Sequence, residues 1–156
     1  MSDKYRIFID PASRSSGWAI FHGKSLVQHG TVEAHDKKDS IEFRLRDVMM
    51  KYMDVVNCHA DMYETKFESC HIEQLVRMTH IYTHWSVGVI MAAVLSTDHV
   101  HKVAADIPIS SWEKYTQWNT DKAPIYKALQ SSTKKIASED ELAAIGIGLY
   151  WTNKYL

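Results

Sequence analysis

The chain has 156 residues, 46% of them apolar, and a formal net charge of −1, which suits one ordinary globular domain with a real core. That near-neutral balance excludes attraction to a polyanion through overall charge, so nucleic-acid binding would need a local basic surface. Cys58 and Cys70 lack a CxxC or Cys/His spacing, the first residues lack an apolar leader, and no stretch reaches the roughly 18 apolar residues of a membrane span; the expectation is a soluble cytoplasmic protein with free thiols.

Residues 5–9 (Tyr-Arg-Ile-Phe-Ile) read as a buried strand ended by Asp10-Pro11, because proline cannot continue a central ladder. A serine-rich loop, Ser13 to Ser16, leads to Gly17. Two short runs of β type, Trp18–Phe21 and Ser25–Val32, flank His-Gly-Lys, which is hairpin punctuation. The chain therefore opens as a three-stranded meander. Asp39 or Ser40 can cap a helix whose apolar positions Ile41, Leu45, Val48, Met49, Tyr52 and Val56 form one stripe. Residues 57–68 show no clear period, and Cys70–Leu75 reads as a strand containing Glu73.

From Tyr82 to Ser96 the sequence is apolar nearly all round, with Gly88, Ala92 and Ala93 permitting close approach, as in a covered core helix or a subunit interface. Val100–Ile107 is a further strand, ended by Pro108. Short helices are expected around Trp112 and from Pro124. Ser138 and Glu141 have the spacing of a capping box and open a last helix through about Trp151. The main order is βββαβαβα, with no repeat or linker to divide residues 1–156 into two domains.

Three acids stand at element ends or on a strand: Asp10, Glu73 and Asp140. Taken singly, each has an ordinary explanation in turn chemistry, helix-dipole complementation or solvent exposure. Their contexts form an ordered set. IFIDPASRSSGWAIF resembles the opening of RuvC-like Holliday-junction resolvases, HIEQL resembles that family's second acidic strand, and SEDELAAIGIGLYW resembles its C-terminal motif. The wording of the motifs is closer to the phage-encoded branch of the family.

The resemblance implies an α/β, RNase H-like fold: a mixed five-stranded sheet, its first three strands antiparallel, with helices on both faces. It also implies that Asp10, Glu73 and Asp140 are catalytic acids and metal ligands. Two carboxylates about 4 Å apart repel by about 4 kcal/mol at an effective dielectric near 20, so such acids gather only around a compensating cation. Oxygen ligands select Mg²⁺ or Mn²⁺, and two ions per site would serve hydrolysis of a phosphodiester in branched DNA, leaving a 5′-phosphate and a 3′-hydroxyl.

One position departs from the pattern. The family's last motif carries a second acid three residues on, where this chain has Ala143; residues at i and i+3 share a helix face, so a ligand is missing. The readings are a chain disabled by substitution, a register in which Glu139 or Glu141 supplies the acid, or a native alanine in a module that binds branched DNA without cutting it.

Candidate DNA contacts are Ser13, Arg14 and Ser15 after the first acid, and Lys114, Lys122 and Lys127 before the last helix, against the ordinary alternative of solvated surface residues. Trp112 and Trp118 are candidates for base stacking or for packing, and His80 with His84 has the spacing of a metal pair but lacks a third ligand. A four-way junction must be cut on two strands, so a homodimer is expected, with the helix at 82–96 as the element most suited to meet its mate. An actin-like ATPase is disfavoured by length and by the lack of a second phosphate loop, while RNase H action on hybrids would share the same chemistry.

Overall fold

The computed structural model describes residues 3–74 and 81–156. Alternation along the first strand decides the layering. In β1 (Tyr5–Asp10), Ile7 and Ile9 face one cluster and Phe8 faces another, all of them fully buried. β1 pairs antiparallel with β2 (Ser15–His22), which pairs antiparallel with β3 (Ser25–Glu33) through a turn at Gly23, where φ is 58°. β4 (Ser69–Gln74) lies parallel to β1, and β5 (Val103–Pro108) lies parallel to β4, giving the order β3-β2-β1-β4-β5.

The helices α1 (Ile41–Tyr63) and α2 (Ile81–Ser96) cover the face of Ile7 and Ile9, with Val48, Tyr52, Val56, Ile90 and Val94 in that cluster. The opposite face receives α3 (Ile109–Thr116), α4 (Ala123–Gln130) and α5 (Glu139–Tyr155), through Trp112, Ile125, Leu142, Ala144, Ile145 and Ile147. Helices on both sides of a mixed five-stranded sheet are the architecture that the motif set implied.

The differences are local and have physical causes. β2 begins at Ser15 because Ser15 and Ser16 pair with Glu33 and Val32, so half of the expected serine loop is ladder. α1 runs past Val56 to Tyr63 because its buried stripe continues through His59 and Ala60; Glu64, in the left-handed region with φ 52°, ends it. Ser40 is its N-cap but makes no side-chain cap bond. β5 begins at Val103, since Val100 makes only an isolated bridge to Phe67. α5 extends beyond Trp151 to Tyr155, and its capping box between Ser138 and Glu141 is formed. Leu75, the last residue of the expected fourth strand, and His80 lie outside the described residues.

Candidate functional site

Register brings the first two acids together. Ile9 of β1 stands beside Ile72 of the parallel β4, so the next residues, Asp10 and Glu73, are neighbours. Period-two alternation then turns both toward the α5 face, away from Ile9 and Ile72. The third acid arrives through a backbone contact. Asp10 pairs with Gly17, and a Cβ at Gly17 would lie 1.8 Å from the Asp140 carbonyl oxygen, so only glycine lets the first turn of α5 settle on β2.

Small polar groups hold these acids. Ser15 Oγ donates to Asp140 Oδ2 at 2.6 Å, and Trp112 Nε1 donates to Glu73 Oε2 at 2.6 Å. Ser16 Oγ donates to the Asp10 carbonyl at 2.6 Å and contacts the hydroxyl of the fully buried Tyr52 at 2.5 Å. Ser16 and Tyr52 were not singled out from the sequence, where Tyr52 reads only as one member of an apolar stripe.

The electrostatics are those of crowded carboxyls. Burial, then Glu73 and Asp140, push the Asp10 carboxyl well above the usual carboxylate range. Burial pushes Glu73 up to about 7, against the Trp112 hydrogen bond, which lowers it. Among the described residues no three His, Cys, Asp or Glu side chains already form a metal-holding group. The donor chemistry nonetheless suits a hard divalent cation: Asp10, Glu73 and Asp140 are all carboxyls, and the last two stand near enough to raise the first. Trp112 and Ser15 occupy one oxygen each of Glu73 and Asp140.

Ala143 lies one turn beyond Asp140, 5% exposed, in the apolar cluster of this face. Gly146, three residues further on, abuts Trp112, so the helix row of Ala143 runs toward the tryptophan that holds Glu73. Glu141, an alternative fourth acid, is engaged elsewhere: its Oε2 meets His29 Nδ1 at 2.5 Å and Lys134 Nζ at 3.0 Å, and its Oε1 accepts from the Ser138 N–H. Burial opposes its charge, but those donors hold its carboxyl below the usual range. Glu139 is exposed in the first turn of α5.

The expected DNA contacts separate into groups. Ser13 is buried, Ser15 holds Asp140, and the exposed Arg14 donates from Nε to the Lys37 carbonyl. Lys114 lines a shallow cleft with Trp118, whose ring carries Lys122 Nζ at 4.8 Å and meets Trp112 at 5.0 Å. Lys127, on α4, lines a different groove with Tyr115 and Leu149, and Leu149 lies about 13 Å along α5 from Asp140 at the helical rise. Trp112 is 3% exposed and committed to Glu73, which removes it as a stacking surface, while the half-buried Trp118 remains one. Of the His80 and His84 pair, only His84, on α2, lies within the described residues.

No family model and no curated protein matches the chain. Solved structures do. Thermus thermophilus RuvC in complex with a Holliday junction substrate superposes with a TM-score of 0.68 at 12% identity, over 97% of this chain and 96% of that one. A second structure of Thermus thermophilus RuvC gives 0.66 at 13% identity, over 94% and 92%. At this identity the likeness is one of fold, and it identifies the framework as RNase H-like.

Proposed function

We propose that this protein is a divalent-metal-dependent endonuclease for branched DNA, of the Holliday-junction resolvase type, formed by residues 1–156 as one nuclease domain. The observation that carries the reading is that Asp10, Glu73 and Asp140 stand near enough at one rim of an RNase H-like sheet for the last two to raise the Asp10 carboxyl, beside a cleft lined by Lys114 and by Trp118, which packs on the tryptophan that holds Glu73. Likeness to a RuvC solved with a Holliday junction supports the substrate class.

Asp10, Glu73 and Asp140 would hold Mg²⁺ or Mn²⁺, which when bound activates water and neutralises charge on the phosphate. The chain's own part is positional. Trp112 fixes the Glu73 carboxyl, Ser15 fixes that of Asp140, and Ser16 with Tyr52 fixes the backbone at Asp10. Lys114 and Lys122 supply cationic charge for the DNA backbone, with Trp118 offering an aromatic edge to an unpaired base.

Ala143 favours a second reading, a module that binds junctions but cuts them poorly. Cleavage of a synthetic four-way junction with Mg²⁺ separates the two. The nuclease reading expects cutting that Asp10→Asn abolishes and that Ala143→Asp raises by about two orders of magnitude or more, the scale of one catalytic group. Junction binding without cutting by either the parent chain or Ala143→Asp would establish the binding module instead. A linear RNA–DNA hybrid cut in preference to the junction would redirect the substrate to hybrids.

A further inference from the structure

At the other end of the sheet, where β1 and β4 begin, lies a cleft of about 270 Å³ that the nuclease reading does not use. Arg6 on β1 is paired in register with Ser69 on β4, and both side chains lie on the α5 face with Phe8 and His71. Arg6 is 7% exposed, and its Nε and Nη1 are buried without a hydrogen-bond partner. Its guanidinium lies 5.1 Å from the centre of the Trp151 ring. Stacking satisfies the face of a guanidinium but leaves its edge, where the N–H donors point, without acceptors.

A buried cation lacking a partner destabilises a fold unless something neutralises it. Glu68, which also lines this cleft, attracts the Arg6 guanidinium through space but makes no salt bridge with it, its carboxylate lying 3.7 Å from Lys4. Two more basic side chains, Lys102 and His101, line the same cleft. Ser69 contributes a hydroxyl at its floor, with Oγ 2.8 Å from His71 Nε2, while His71 Nδ1 faces Asp106 at 2.9 Å. This serine, histidine and aspartate order suggests hydrolysis, but the adjacent N–H of Cys70 is given to the Lys102 carbonyl, so it cannot also serve an oxyanion. The set is better suited to holding an anion than to attacking a carbonyl.

We propose that this cleft is a second, non-catalytic site that binds a phosphate group, with Arg6 as its anchor and Lys102 and His101 at its mouth. A phosphate offers several acceptor oxygens to a guanidinium edge, to an ammonium and to the Ser69 hydroxyl together. The phosphate is that of a small phosphate ester or of a nucleic-acid backbone. Since Nε and Nη1 are covered by the protein itself, entry of the anion displaces the half-buried Trp151 from its place over Arg6.

The test is titration of the full-length protein with inorganic phosphate, read by the Arg6 Nε–H resonance and by tryptophan fluorescence, with Trp151→Phe identifying the responding ring. Saturable binding is expected, weakened about tenfold or more in Arg6→Met, the scale of one charge-assisted hydrogen bond, and severalfold in Lys102→Ala. Glu68→Gln is expected to tighten it by removing a like charge. Arg6→Met is also expected to melt no lower than the parent, because an apolar side chain replaces an unpaired buried cation. Should that variant fail to fold, the parent resonance and the exposed Lys102 still decide. Competition by unbranched duplex DNA assigns the site to a nucleic-acid backbone, and its absence assigns a small phosphate ester. An Arg6 resonance indifferent to phosphate, or equal affinity in Arg6→Met, overturns the proposal. Junction cleavage does not enter these readouts, so the outcome is separate from that of the nuclease reading.

Discussion

On the proposed reading, Glu73 is the side chain on which proton and metal compete. Its carboxyl, pushed up to about 7 by burial, keeps a proton at pH values where an exposed glutamate has long lost it. A cation must displace that proton, so metal binding weakens as pH falls through that value. The Trp112 N–H stabilises the charged form, and removing it raises the carboxyl further. We therefore expect the pH midpoint of Mn²⁺ binding, followed by water proton relaxation, to move upward in Trp112→Phe; a midpoint that stays or moves downward would show that Glu73 does not hold the ion. Sequence spacing alone left Trp112 divided between stacking and packing, because a side chain's partner 39 positions away is invisible until the sheet is assembled.

At the scale of elements, the start of α5 decides where Asp140 stands. A capping box at Ser138 and Glu141 was legible in the sequence, since its spacing follows from local helix geometry. Its second function was not: Glu141 also ties the helix to β3 through His29, whose other ring nitrogen faces the Lys134 carbonyl at 3.0 Å. The exposed Lys134 closes the same network. Replacing His29 by alanine removes one partner from the buried Glu141 carboxylate, which keeps Lys134 and the Ser138 N–H, and leaves the Lys134 carbonyl without its ring contact. We expect His29→Ala to lower unfolding stability by about 2 kcal/mol in urea titrations, the scale of a hydrogen bond to a buried charged group. Junction cleavage should fall with it, because the turn carrying Asp140 loosens. Unchanged stability would mean that the segment before α5 is held by other contacts.

At the scale of the whole molecule, α2 presents a surface that the other described residues do not cover. Ser86, Ile90, Ala93 and Val94 are buried, whereas Ile81, Trp85 and Leu95 are 46%, 45% and 56% exposed, and a Cβ at Gly88 would meet nothing within 4 Å. Such a face suits a second copy, in keeping with a junction that presents two strands. Sedimentation should show a dimer that Trp85→Glu converts to a monomer with an unchanged far-ultraviolet spectrum; a parent chain that sediments as a monomer would remove this pairing. None of the helices among the described residues is long and apolar enough to cross a membrane.

Taken alone, the sequence determined the strand and helix order through β5, the capping box, and the three acidic motifs, because these rest on local periodicity and on short stretches of residues. It placed the end of α1 and the start of β2 less well, where buried stripes and ladder pairing continue through polar residues such as His59 and Ser15. Only the tertiary structure decided that Asp10 and Glu73 face one side, that Gly17 admits the α5 backbone, that Glu141 is drawn off to His29, and that two buried nitrogens of Arg6 lack a hydrogen-bond partner. Each of these depends on strand register and on contacts between residues far apart in the chain, which local propensity does not encode.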